Sequence, residues 1–203
     1  YNAGNQDNHM SGYSSLYRKN TEVNSVGYYK VDLERYDINV ELTASERVGF
    51  HRYTYPSSKS SRVIIDLGEG SADRPTETYL KKVNDTTFQG HRFSSGWARD
   101  QREYFTLVIS KPVKDFILYD RDKKFKGNEL KGVYVKGFLE FETNKNEEIY
   151  VKMGVSTVSS ENALENMVVE IPHWDFDKVK KTAENKWNQE LSKINIKTED
   201  LKR

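Results

Sequence analysis

From Tyr28 to Ser156 period-two patterns dominate, runs in which apolar side chains alternate with polar ones, and no helical pattern intervenes between them. Tyr29, Val31 and Leu33 alternate with Tyr28, Lys30 and Asp32, and Ile38, Val40 and Leu42 alternate with Asn39, Glu41 and Thr43. Val133, Val135, Leu139 and Phe141 oppose Lys136, Glu140 and Glu142; Ile149, Val151, Met153 and Val155 oppose Tyr150, Lys152 and Ser156. A period of two places one set of side chains on each face of a strand, so each is expected to have one apolar and one wet face, as in antiparallel sheets. Further strands are expected over 47–55, 62–67, 77–83, 86–93, 102–110 and 114–119. Turn chemistry separates them at 34–37, 56–61, Asn84-Asp85, Lys126-Gly-Asn128 and Asn144-Lys-Asn146. About ten short strands without intervening helices imply a mainly β fold, an antiparallel sandwich of two packed sheets.

The pattern changes after Ser156. Ser159 or Ser160 is placed to cap a short helix over 161–168, and Pro172 separates it from a longer one. In that second helix Phe176, Val179, Ala183, Trp187, Leu191 and Ile194 fall on one stripe. Asp175 is the expected N-cap, and Asp177 puts a negative charge near the positive end of the helix dipole. The stripe must lie on the chain's own sheet or against a further domain.

With 203 residues the chain makes one or at most two domains. Its 32 basic and 31 acidic side chains nearly cancel, so there is no electrostatic footprint for nucleic acid or an anionic membrane. The Lys-rich stretch 120–126 is interleaved with acids and reads as a solvated loop. No apolar run reaches the ~20 residues of a membrane span. The absence of cysteine removes disulfides, a thiol nucleophile and Cys-based metal sites.

Catalytic patterns are sparse. His9, His51, His91 and His173 show no metal-ligand spacing, and His51, in a strand, reads as a structural or surface residue. Leu67-Gly-Glu-Gly70 is not followed by a helix, which argues against a nucleotide loop, and there is no Gly-x-Ser-x-Gly elbow. Glu140 and Glu142 share a strand face roughly 7 Å apart by the strand rise. That separation suits two glycosidase carboxylates, although alternating acids on a surface strand are much commoner. Asn84-Asp-Thr86 matches a glycosylation sequon. The most suggestive loop is Phe93-Ser-Ser-Gly-Trp-Ala-Arg-Asp-Gln101. Trp97 could stack on a sugar while Arg99 and Asp100 bind its hydroxyls; alternatively, Trp97 plugs a sandwich end and Arg99–Asp100 pins the loop. No catalytic or metal-ligating residue is assigned.

Gly27-Tyr-Tyr-Lys-Val31, Tyr36-Asp-Ile-Asn-Val-Glu-Leu-Thr43 and Arg47-Val-Gly-Phe-His-Arg-Tyr-Thr-Tyr-Pro56 together resemble the N-terminal domain of glycoside hydrolase family 92. The resemblance continues through 62–67, Ser95-Gly-Trp-Ala-Arg-Asp-Gln101, Tyr104-Phe105, Ser110-Lys-Pro112, 151–156, Ser160-Glu-Asn-Ala163, Ile171-Pro-His-Trp-Asp-Phe-Asp177 and Trp187-Asn-Gln-Glu-Leu191. It thus covers Tyr17 to Ile194 in order.

That family consists of calcium-dependent, inverting exo-α-mannosidases. The resemblance implies a galactose-mutarotase-like supersandwich over residues 1–157, its early strands missing, and a helical linker over 158–203. The expected partner is a C-terminal (α/α) toroid of the same protein, which carries the acid, the base and the Ca2+ ligands, with α-mannosyl glycans as substrates of the complete enzyme. A periplasmic or secreted location follows from the same resemblance. Alternatives of other classes are a free-standing carbohydrate-binding module using the Trp97 loop, and a structural domain whose terminal helix docks a separate toroid.

Overall fold

The computed structural model describes residues 12–70 and 72–196. Residues 1–11, including His9, and 197–203 lie outside the described part, as does Ser71. The strands, in chain order, are β1 (Val23–Ser25), β2 (Tyr28–Leu33), β3 (Ile38–Ala44), β4 (Val48–Tyr55), β5 (Ser58–Asp66), β6 (Arg74–Lys82) and β7 (Thr87–Ser95). They continue with β8 (Gln101–Ile109), β9 (Asp115–Asp120), β10 (Lys123–Phe125), β11 (Glu129–Gly132), β12 (Val135–Thr143) and β13 (Glu147–Ser156). Two helices follow, α1 (Ser160–Glu170) and α2 (Phe176–Leu191).

Two antiparallel sheets result. One has nine strands in the order β1-β2-β3-β4-β13-β8-β7-β6-β11, and the other four in the order β10-β9-β12-β5. The main core lies between them, built from inward residues such as Leu80, Phe88, Ile109, Leu118, Leu139, Phe141 and Ile149. The expected sandwich and its two terminal helices are therefore present, but the local reading needs three corrections.

The first concerns the wet faces. Cross-strand pairing puts Val48, Phe50 and Arg52 of β4 on the same face as Gly154, Lys152 and Tyr150 of β13. This outer face is covered by the helices, in a second apolar layer of Tyr28, Val48, Phe50, Met167, Ile171, Phe176 and Val179. Strands β4 and β13 are thus covered on both faces, and Tyr28 and Lys152, expected in solvent, are buried. Lys136 of β12 is buried too, 2.9 Å from Asp66. Long polar side chains hide this because each has an apolar stem that packs while its head finds one partner.

The second correction is that residues 58–61, expected in a turn, open β5, where Ser61 Oγ and Thr143 Oγ1 lie 2.7 Å apart across to β12. The third is that the Lys-rich stretch forms the β9–β10 hairpin, turned through Arg121 at φ 54 and paired Lys124↔Tyr119.

The helices start where their caps dictate. Ser159 accepts from Asn162 N at 3.1 Å, and Asp175 accepts from Lys178 N at 2.9 Å. Helix α1 lies on β13, where any side chain at Gly154 would collide with the Ala163 carbonyl oxygen, so the close approach requires glycine. Thr106 donates to Ser160 O at 2.7 Å and Asn166 Nδ2 to Val155 O at 2.9 Å, fixing both ends of the contact.

Helix α2 is held by charge as well as by packing. Arg52 reaches Glu41 through Nε at 2.7 Å and Nη2 at 2.8 Å, and Asp177 through Nη1 at 3.2 Å, with its guanidinium 4.5 Å from the Phe176 ring. Tyr28 donates to the same Glu41 at 2.6 Å. Burial works against the Glu41 charge, but the Arg52 and Tyr28 hydrogen bonds outweigh it and hold the carboxyl below its usual range.

Phe50 is fully buried at the centre of this layer, 5.4 Å from Phe176 and 6.0 Å from Trp174. Phe50→Ala should therefore cost about 3–5 kcal/mol. Urea denaturation checks this, and a loss under 1 kcal/mol would refute the packing role (roughly the cost of a surface change).

Candidate functional site

The β7–β8 hairpin carries the loop singled out from the sequence. Its base is rigid. Ser94 Oγ donates to Gln101 Oε1 at 3.0 Å, and Arg92 clamps Asp73 through Nη1 at 2.5 Å and Nη2 at 3.0 Å while Nε donates to Leu67 O at 3.1 Å. The Arg92 guanidinium, with help from Ser94, pulls the Asp73 carboxyl down to about 2. At the tip, Gly96 N donates to Ala98 O at 2.9 Å, and residues 96–100 are all exposed. Trp97 is fully exposed, and Arg99 and Asp100 are exposed beside it. Trp97 therefore does not plug the sandwich end. Nor does Asp100 join Arg99: it accepts from Arg102 Nε at 3.2 Å, an exposed pair of little energetic weight.

A second aromatic group lies on the outer face of β6–β8, beyond the helices. The His91 and Phe93 rings stack at 4.2 Å, Tyr79 lies 5.5 Å from His91, and Arg102 sits 5.4 Å over Phe93. His91 and Phe93 stack face to face and Tyr104 stands edge-on to both, whereas Trp97 at the hairpin tip is fully exposed. A sugar stacks on a ring face, so Trp97 offers the open aromatic face on this hairpin. His91 Nε2 also lies 3.0 Å from Glu77, which pairs with Lys131 at 2.8 Å.

The carboxylates considered for chemistry are each engaged elsewhere. Glu140 pairs with Arg62 of β5 at 2.7 Å and Glu142 with Lys114, just before β9, at 2.6 Å, so both acids are engaged by cations. Among the described residues no group of three or more His, Asp or Glu side chains converges as a metal site needs. The donor set does not fit Ca2+, which takes six to eight oxygens. No described helix is long and apolar enough to cross a membrane.

Two residues of interest went unassigned in the sequence. Lys152, which alternates on the polar side of β13, donates from Nζ to Ile171 O at 2.8 Å and lies 4.2 Å from the Trp174 ring. Burial pushes its pKa below the usual lysine range. Trp174 stands over it between the two helices. The sequence signals were the two runs of the family resemblance that contain them, 151–156 for the lysine and Ile171-Pro-His-Trp-Asp-Phe-Asp177 for the tryptophan, and neither assigns a role.

The molecule is therefore a two-sheet β-sandwich domain with a capped helical extension, open at one loop tip and along its helices. Sequence profiles supply its affiliation: that of the glycosyl hydrolase family 92 N-terminal domain matches residues 1–156, and that of the family's catalytic domain matches residues 162–203. The chain belongs to glycosyl hydrolase family 92.

It superposes on the GH92 alpha-mannosidase BT3965 from Bacteroides thetaiotaomicron with a TM-score of 0.90 at 28% identity, over 97% of this chain and 28% of that one. A second mannosidase of that bacterium, the inverting BT2199, matches in fold with a TM-score of 0.78 at 17% identity, over 90% of this chain and 24% of the other. An uncharacterized secreted glycosidase of Arthroderma benhamiae is 23% identical over 85% of this chain and 25% of its own length. The chain thus spans about a quarter of the length of the relatives it matches.

His51 lies on the inner face, paired across the sheet with Leu42 and Val151, with its Nδ1 2.6 Å from the Tyr53 hydroxyl. Burial pushes its imidazole from 6.5 down to about 4. The unfolded chain then takes up the proton first as pH falls. This group costs nothing above about pH 6.5, costs progressively more down to about pH 4, and reaches a limit on the order of 3 kcal/mol. His51→Leu should remove about 2 kcal/mol of the stability difference between pH 7 and pH 4.5 in denaturant titrations. An unchanged difference would show that the imidazole is already charged in the fold.

Proposed function

We propose that this chain is the N-terminal β-sandwich region of an enzyme that hydrolyses terminal α-mannosides of glycans with inversion. The observation that carries this reading is the superposition on BT3965 over 97% of the chain at 28% identity. In this reading residues 1–157 are the sandwich domain and residues 158–203 lead from it toward an (α/α) toroid. The toroid is the partner and holds the general acid, the general base and Ca2+. An inverting pair must stand about 6.5–9.5 Å apart with a water between, and both Glu140 and Glu142 are engaged by cations instead. The sandwich region is non-catalytic by itself. A secreted or periplasmic location fits an enzyme acting on glycans and accords with the secreted fungal relative.

A second reading rests on Trp97. A fully exposed indole on a rigid hairpin base is an arrangement that stacks a pyranose ring. In this reading Trp97, Arg99 and Asp100 bind carbohydrate and the chain is a binding module.

Purified chain incubated with α-mannobiose and Ca2+ should release no mannose, and measurable release would overturn the non-catalytic assignment. Titration of the same chain with α-mannobiose separates the two readings. Saturable binding lost in Trp97→Ala establishes the module; absence of binding leaves the sandwich as a scaffold.

A further inference from the structure

Residues 83–86 form the turn that joins β6 to β7, and they contain Asn84-Asp-Thr86, the one Asn-x-Ser/Thr sequence in the 203 residues. Backbone bonds hold this turn from the side of the sandwich. Val83 N donates to Thr87 O at 2.9 Å, Ile109 N to Thr86 O at 2.9 Å and Val113 N to Asp85 O at 2.8 Å. The anchoring Ile109 and Val113 are buried, whereas Val83, Asn84 and Asp85 are exposed. Asn84 is thus a surface residue on a fixed base.

The orientation of its amide is set by one partner residue. Asn84 Oδ1 accepts from Thr86 N at 2.9 Å and from Thr86 Oγ1 at 3.1 Å. A backbone N–H can only donate, so the atom facing it is the oxygen and Nδ2 takes the other side. Among the described residues nothing bonds to that nitrogen. An Asx turn needs only the backbone donor. Here the hydroxyl is engaged as well, and it belongs to the residue that a glycosylation sequon requires.

We propose that Asn84 is an N-glycosylation site, carrying an oligosaccharide on Nδ2. The proposal rests on the secreted location in the functional reading above and adds the modification. The donor is a lipid-pyrophosphate-linked oligosaccharide, transferred by an enzyme of the secretory route. Nδ2 bonds to the anomeric carbon, and the bond from that carbon to the pyrophosphate oxygen breaks. The lipid pyrophosphate leaves with the electron pair, the amide gives up one proton, and nothing is oxidised or reduced. The product fits the fold, because substitution takes one N–H hydrogen and leaves both bonds to Oδ1 in place. Strand β7 runs nine residues from this turn to the Trp97 loop, so the two lie at opposite ends of it, roughly 30 Å apart at the strand rise. A glycan on Asn84 leaves Trp97 open.

Translation of the 203-residue chain behind a cleavable secretion signal, with microsomes present, tests the site; only the protease-protected fraction is read. That fraction should show a single step to higher mass that peptide-N-glycosidase removes, leaving an aspartate in place of Asn84. The step should be lost in Asn84→Gln and in Thr86→Val, which keeps the shape of threonine without its hydroxyl, and retained in Thr86→Ser. A protected chain without the step overturns the proposal, and so does a step that persists in Asn84→Gln. Translation of the full-length protein on its own N-terminus separates this from the location. Entry without the step overturns the glycosylation alone; exclusion, when the signal-driven chain carries the step, overturns the location and leaves the acceptor site standing.

Discussion

The nine-stranded sheet exists because β13, the last strand, enters between β4 and β8. Without it the chain is two separate antiparallel runs, β1–β4 and β6–β8 with β11. Strand β13 pairs eight residues with β4 and six with β8, and the contacts it makes with β4 close a loop of nearly the whole sandwich. Such non-local pairing carries a large loop-closure cost and forms late. The helices follow directly, so the same insertion sets their position: α1 lies over β13 at Gly154, and Lys152 reaches up to the α1–α2 turn. Sheet closure and helix docking are thus consequences of one strand finding its slot.

This central position explains which parts of the fold were legible in the sequence. Strands β2, β3 and β12 and the caps of both helices follow from local rules, namely alternation and a side chain that can accept a hydrogen bond. The second covered face of β4 and β13 does not. Nothing in the local pattern marks Arg52 and Lys152 as covered, because residue type records charge and not the partner that receives it. Their partners, Glu41 and Ile171 O, stand 11 and 19 residues away. Strand β10 was hidden for a similar reason, since it is short, charged and at a sheet edge, where alternation carries no burial signal.

The candidate site divides the same way. Sequence placed Trp97 in a polar loop between two strands, and that loop is the tip of the β7–β8 hairpin. Whether the indole turned inward or outward depended on what lay below. The space there is taken by Asp73 and its Arg92 clamp, and the backbone of Gly96 lies against Ala72 and Asp73. The tip therefore points away from the sandwich. Glu140 and Glu142 show the converse: their spacing was right for a carboxylate pair, but Arg62 of β5 and Lys114, just before β9, supply a cation to each. Spacing along one strand sets a distance between two acids, whereas the strands beside it decide whether they remain free.

The distribution of apolar surface follows from this arrangement. Between the sheets, apolar side chains meet apolar side chains from both directions, and the core is closed. Over the outer face the helices supply one layer, enough to bury Phe50 and Val48 but not their own far sides. A helix built only to cover a sheet has no need of Val168, Val169 and Trp174 pointing outward, because charged residues there would improve solubility at no cost in packing. On α1 the outward side is centred on Glu161 and Glu165, with Val168 to one side of them and Val169 to the other. The helices thus satisfy the sheet beneath them, and their outer side is mixed, with acids and apolar side chains exposed together.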